Sequence, residues 1–417
     1  MKCDILITHI KGLVQVRNQP VSQVRGQEMD QLPVLPDSYL IIANGLIHSF
    51  GPMSSLPVNL EPKEFLQASG RFVFPSFVDS HTHLVFAEPR EEEFVMKLKG
   101  ATYAEIAAKG GGILNSARKL QKLSEDELYE RSVLRAWEII GSGTGAVEIK
   151  SGYGLTPQDE FKMLRVAQRI GKETPLTVKT TFLGAHAVPA DETKEHYLNT
   201  VIQEMIPGVA EHQLAEYIDV FCEQGFFSPE ETERVVEAGK RYGLQPRIHA
   251  NQLARSGGVQ VGVKTGAISV DHLENIGDEE IELLKMSNTM PVALPGAAFF
   301  LNLPFPPVRK MMEAGLPVAI ASDYNPGSAP SGNMPLMIAL ACIKMRMTPH
   351  EAINAATLNT AYTLGITASH GSITPGKVAN LFITHPLPSI ASLPYFFGSN
   401  PVDQVILQGK LISKRHG

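Results

Sequence analysis

Through the middle of the chain, short apolar runs rich in Val, Ile and Phe alternate with longer stretches whose apolar positions recur at a helical period. Eight runs read as strands: 72–78, 145–149, 177–183, 217–221, 245–248, 267–270, 290–294 and 317–321. Each is too short for a helix and is flanked by turn residues. Between most of them lie amphipathic stretches such as 125–140, 157–170 and 230–242, the last opened by Ser228 as cap and Pro229 as first residue. Alternation of this kind predicts a parallel sheet with crossover helices, and eight units predict a (β/α)8 barrel of the TIM type. The two ends follow another rhythm. Runs 3–8, 39–43 and 46–50 at the front, and 379–384, 404–408 and 411–412 at the rear, are strand-like, with Asn44-Gly45 and Gly409-Lys410 as turns. They predict one smaller composite β-sandwich domain built from residues 1–70 and 369–417, enclosing a barrel over 71–368.

Composition narrows the setting. The 417 residues are 43% hydrophobic and 19% charged, enough for a large core. Lys and Arg number 37 against 43 acids, a formal charge of −6 with no basic stripe, which argues against a nucleic-acid partner. The apolar runs are too interrupted for a membrane span or a signal peptide. Cys3, Cys222 and Cys342 stand far apart without a C-x-x-C, so neither a disulfide framework nor a structural zinc cluster is expected, and a reducing cytoplasm is the expected compartment.

Barrel enzymes carry their chemistry just past the carboxyl ends of the strands. After the first strand comes Asp79-Ser80-His81-Thr82-His83. Side chains alternate there, so His81 and His83 face one side and can chelate one ion. His249 follows the fifth strand, Asp271-His272 the sixth and Ser322-Asp323 the eighth. Taken singly, such a histidine is ordinarily a hydrogen-bonded core group and such an aspartate a helix cap. Four of the 13 histidines in barrel register, with an aspartate beside them, point instead to a metal centre. A cation with these ligands and an open position brings the pKa of water toward ~7. Asp323 is suited to take that water's proton and pass it to a leaving nitrogen, and His272 to hydrogen-bond the attacked carbonyl or the nucleophile. One divalent ion, zinc or iron, suits the set.

The H-x-H after strand one, single histidines after strands five and six and an aspartate after strand eight resemble the amidohydrolase superfamily. That resemblance implies His81, His83, His249 and Asp323 as metal ligands and Asp323 with His272 as catalytic groups. Members with two metals usually bridge them through a lysine, often carbamylated, at the end of strand four, where this chain reads Val220-Phe221-Cys222-Glu223. One metal is therefore expected, and Lys150, after strand two, could bridge only if the strand count were wrong. Further segments are VFAEPR at 85–90, KGGGI at 109–113, IKSGYG at 149–154, FLGAH at 182–186, SDYNPGS at 322–328, ANGLI at 43–47 and PGKVANL at 375–381. Together they make nearly the whole chain similar to the branch of that superfamily which opens the ring of 4-imidazolone-5-propanoate with water, a step of histidine degradation that yields N-formimidoyl-L-glutamate.

This resemblance implies a small-molecule substrate held by Arg90, Tyr103, Tyr153, His186, Gln252, Asn325, Gly327 and Ser328. Arg90 offers a fork suited to the propanoate carboxylate, with Tyr103 and Tyr153 as phenolic donors. His186 is expected against the ring or carbonyl, and Asn325, Gly327 and Ser328 along the substrate's polar end. Arg90 also stands beside Glu91, Glu92 and Glu93 as a candidate surface ion-pair partner, and Tyr153 as a candidate loop anchor. Some members of the family carry glutamate where Gln252 stands; an amide cannot shuttle protons, so Gln252 is assigned hydrogen bonding alone. Lys109-Gly110-Gly111-Gly112 is a candidate lid, 141–145 an ordinary turn, and His196 and His212 surface groups. A deaminase of an aminated heterocycle, using the same metal and aspartate, is the alternative, and a neutral base would leave Arg90 without a carboxylate. A homodimer is compatible with the sequence.

Overall fold

The structure is a computed structural model describing residues 1–100 and 111–413. Five strands open the chain: β1 (Lys2–Val14), β2 (Val34–Ala43), β3 (Leu46–Pro52), β4 (Glu61–Gln67) and β5 (Phe72–Pro75). β1 organises them. It runs antiparallel to β2 on one edge and, on the other, parallel first to β4 and then to β5. Eight parallel strands follow: β6 (Phe77–Asp79), β7 (Thr144–Lys150), β8 (Thr177–Ala185), β9 (Tyr217–Cys222), β10 (Gln245–Ala250), β11 (Ser269–His272), β12 (Met290–Ala293) and β13 (Ala319–Ile320). The chain then returns to the first sheet through β14 (Leu381–Thr384), β15 (Val402–Leu407) and β16 (Lys410–Ile412), with β14 antiparallel to β5.

The alternating faces of β1, β2, β5, β14 and β15 bury one apolar set, including Ile5, Ile7, Ile10, Leu40, Ile42, Val73, Leu381, Ile383 and Ile406. Two separated stretches of sequence thus share one core, as period-two patterning at both ends requires. β4, whose sequence EPKEFLQ is largely exposed, carries too few apolar residues to announce itself.

The run 72–78, expected as one strand, is two strands in two sheets. The N–H of Ser76 donates to the carbonyl of Asn380 in the end-domain sheet, and the next, that of Phe77, donates to Gly143 at the barrel. The handover is invisible in the sequence because both halves are fully buried and equally apolar. Phe382 seals the junction, stacked on Phe74 at 5.0 Å and tilted against Phe77 at 4.7 Å.

Helices lie between the barrel strands with the expected caps. Ser124 and Glu127 form a capping box on Glu125–Gly141, Thr156 caps Pro157–Glu173, and Ser228 with Glu231 caps Pro229–Arg241. Among the described residues no helix is long and apolar enough to cross a membrane. Among the described residues no ladder joins β6 to β13, and the barrel closes just beyond them through a parallel bridge between Thr82 and Tyr324. Asp323 N–H donates to the carbonyl of His81 at 3.0 Å and His83 N–H to that of Tyr324 at 2.9 Å. Closure of the barrel and placement of the site residues are therefore one event.

Candidate active site

Past β6 the chain presents His81 and His83 into the mouth, and β10 presents His249. One donor atom from each lies within 4.8 Å of the others, and His81, His272 and Asp323 form a second such group. Asp323 Oδ1 stands 3.4 Å from His81 Nε2 and 3.7 Å from His83 Nε2. All five side chains are buried. Among the described residues, His81 Nε2 and His249 Nε2 lack a hydrogen-bond partner. Such groups are costly to bury, and their convergence fits a cation. Burial, helped by neighbouring positive and imidazole groups, holds His81 and His83 well below the usual histidine range. Burial likewise lowers His249 against the pull of Asp219. All three are therefore neutral, the form that binds metal. Burial pushes Asp323 up to about 6, with His272 pulling the other way.

Beneath this layer lies a second, fully buried one. Asp271 Oδ2 accepts from His81 Nδ1 at 2.7 Å, which turns Nε2 toward the mouth. Asp219 Oδ2 stands 3.0 Å from His249 Nδ1 and does the same there. Carboxylates behind imidazoles fix the tautomer and raise ligand basicity. Two buried cations balance them: Lys150 Nζ lies 2.8 Å from Glu148 and 2.9 Å from Asp219, and Arg247 Nη2 donates to the carbonyl of Ser80 at 2.7 Å beside Asp271. Burial works against the charge on Lys150, yet Asp219 and Glu148 raise it overall, so it is an ammonium. Lys150 ends the second of eight barrel strands, so the strand count stands, and its Nζ is committed to two carboxylates.

Sequence reasoning named Asp271 without giving it a role and passed over Asp219, Glu148 and Arg247. A signal existed: Glu148 and Lys150 are charges two apart on one face of an otherwise apolar central strand, where only interior pairing permits them.

On one side of the mouth, Arg90, Tyr153 and His186 form a wall. The guanidinium of Arg90 lies over the Tyr153 ring at 5.5 Å, its Nε donates to Ser116 Oγ at 2.8 Å, and Nη2 is buried without a partner among the described residues. His186 stacks on His83 at 5.2 Å and its Nδ1 meets the carbonyl of Gly152 at 2.9 Å. Burial, with His249 beside it, drives His186 down to about 3. Tyr153 sits in a turn pinned by the buried carboxylate of Glu160, which accepts from the N–H groups of Gly152, Gly154 and Leu155. Gly154 is required there, since a Cβ would lie 2.3 Å from the Glu160 nitrogen.

The loop after β13 is laced to Asp323. Asn325 Nδ2 donates to the Asp323 carbonyl at 2.6 Å and to Ser328 Oγ, while its Oδ1 accepts from the N–H groups of Gly327 and Ser328. Ser328 Oγ donates to Asp323 Oδ2 at 3.2 Å. Asn325 is thus spent within the loop, and Gly327 leaves room for Arg90, whose Nη1 would lie 2.3 Å from an added Cβ. Gln252 is buried, and its backbone carbonyl accepts from Asn275 Nδ2 at 2.8 Å. His196 is on the surface, paired with Glu192. Tyr103, and Lys109 with Gly110 of the candidate lid, lie outside the described residues.

With this geometry the comparisons agree. The amidohydrolase family model matches residues 72–412, and the chain belongs to that family. It is 53% identical over 409 residues to the imidazolonepropionase of Flavobacterium johnsoniae, covering 98% of this chain and 99% of that one. To the imidazolonepropionase of Geobacillus kaustophilus it is 40% identical over 414 residues, covering 98% and 97%. Within the amidohydrolases the chain stands among the imidazolonepropionases. Solved structures of similar fold include a guanine deaminase of E. coli, TM-score 0.75 at 14% identity over 99% of both chains. An adenosine deaminase from Xanthomonas campestris with bound zinc has TM-score 0.73 at 17% identity, over 98% of this chain and 93% of that one. These last two share the fold alone.

Proposed function

We propose that this site hydrolyses the cyclic amide of 4-imidazolone-5-propanoate to N-formimidoyl-L-glutamate around one divalent ion held by His81, His83, His249 and Asp323. When bound, the ion acidifies a water and polarises the amide carbonyl. Asp323 accepts the water's proton as the oxygen adds to the carbonyl carbon, and returns it to the ring nitrogen as the C–N bond breaks. His272, close beside Asp323, accepts a hydrogen bond from the attacking water through Nε2 and so orients it toward the carbonyl carbon. Arg90 takes the propanoate carboxylate, Tyr153 and His186 flank the ring, and Gln252 contributes hydrogen bonds. The Lys150 ammonium, held by Glu148 and Asp219, has no lone pair to offer a second metal, which supports a single ion. Zinc and iron both suit these ligands.

The observation that carries the reading is the buried Nη2 of Arg90, unpaired among the described residues, beside Tyr153 and the histidine cluster. A buried guanidinium edge without a partner calls for an anionic one, and the alternative, a neutral aminated heterocycle, supplies none. The test is turnover of freshly made 4-imidazolone-5-propanoate, followed by ultraviolet absorbance against its spontaneous decay. Arg90→Ala is expected to lower kcat/KM by roughly 100-fold, mostly through KM, the scale of losing one partner of a buried charge pair. An unchanged KM would remove the clamp from the proposal. Gly327→Ala should push the guanidinium aside, and overpacking of about 1–3 kcal/mol translates into a KM roughly tenfold higher with kcat less affected. A KM equal to wild type would show that Arg90 has room to spare.

A further inference from the structure

Glu274 is a buried carboxylate that the reaction above does not use. Its side chain is fully enclosed, two residues past His272. Oε1 lies 3.5 Å from His272 Nδ1, and Oε2 has no hydrogen-bond partner among the described residues. The backbone between them is unusual: His272 and Leu273 both adopt positive φ, 90° and 71°, a region that non-glycine residues avoid. Two such residues in succession turn the chain back on itself and bring the carboxylate behind the imidazole. Hydrogen bonds to the neighbouring strand end hold that turn. Leu273 N–H donates to the carbonyl of Ala250 at 3.1 Å, Asn275 N–H to that of Asn251 at 2.9 Å, and Asn275 Nδ2 to that of Gln252. The arrangement repeats what Asp271 does for His81 and Asp219 for His249, with one difference: His272 is not among the four assigned metal ligands.

We propose that Glu274 is a positioning residue for the reaction, holding His272 in the Nδ1–H tautomer so that the lone pair of Nε2 is the edge presented to the attacking water. The inference rests on the assigned hydrolysis. Gln252, Asn251 and Asn275 nearby are amides and exchange no proton, so His272 is the group whose tautomer matters there. The contact is long for an N–H···O bond; distances of this kind shorten in the substrate complex.

The test uses the metal-loaded enzyme with 15N-labelled histidine, the His272 signals being assigned by their loss in His272→Asn. Wild type should show the ring protonated at Nδ1, and Glu274→Ala should shift it to the Nε2–H form. Turnover should fall about 10–100-fold in kcat with KM and metal content unchanged, and added formate, filling the vacated space, should recover part of it. Glu274→Gln, which keeps the volume and removes the charge, serves if the alanine variant unfolds, and should lose kcat likewise. A kcat within twofold of wild type in these variants, or an unchanged Nδ1–H tautomer in Glu274→Ala, overturns the proposal. A folded wild type without turnover sinks the assigned reaction instead, and the tautomer still decides the pairing.

Discussion

Asp323→Asn is expected to reduce kcat by about 10³-fold or more, the range set by loss of a group that both takes and returns a proton. The substitution is nearly isosteric. The seam hydrogen bond from its backbone N–H to His81, and the one its carbonyl accepts from Asn325, do not involve the side chain. The barrel closure therefore survives, and the fold is not what the variant tests. What changes is the oxygen 3.4 Å from His81 Nε2: an amide oxygen still points there but accepts no proton. Because the same atom is an assigned metal ligand, metal content must be measured beside turnover. A variant that keeps its metal and loses turnover assigns the proton to Asp323. A variant that keeps its metal and turns over within tenfold of wild type removes it. Ser328→Ala, which deletes only the hydroxyl donated to Asp323 Oδ2, is the milder companion, with a loss of a few-fold in kcat.

The catalytic layer was legible in the sequence because it obeys a positional rule: the histidines and Asp323 stand at or just past strand ends, and strand ends are marked by where apolar runs stop. The layer beneath obeys no such rule. Asp219 and Asp271 lie inside strands, and their meaning depends on which imidazole of another strand lies opposite, a fact of register between β9, β10 and β11. Burial of Arg247 was equally hidden, since nothing local distinguishes it from an exposed cation, whereas Lys150 has Glu148 two residues before it. Hydrophobic pattern located the barrel strands, yet it fused β5 with β6, because the change of partner at Ser76 is a matter of hydrogen bonding and leaves apolar content untouched. Glu274 shows the same limit in another form: its position behind His272 follows from two residues at positive φ, a backbone choice that neither His nor Leu advertises.

Removal of the metal is the second large effect, and the charges around the site give its direction. Lys150 and Arg247 are the buried cations of the inner layers, while Asp219, Asp271, Glu148, Glu274 and Asp323 supply carboxylates. Burial raises Glu148, with Lys150 and Arg247 pulling the other way. A divalent ion relieves the excess of carboxylates, and neutral His81, His83 and His249 offer it lone pairs that otherwise face one another. Dialysis against a chelator should therefore abolish turnover and lower the melting temperature together. Linkage sets the scale: an ion present at a thousandfold its Kd contributes about 4 kcal/mol of stability, all lost with it. Elemental analysis of the native protein should give one equivalent per chain, and back-titration with zinc or iron(II) should restore both properties, the better metal being the one that restores more turnover. Two equivalents would contradict the role given to the Lys150 ammonium. Undiminished turnover by protein shown to be free of metal would overturn the proposed chemistry, because Asp323 alone, without a cation to acidify water, has no nucleophile to generate at neutral pH.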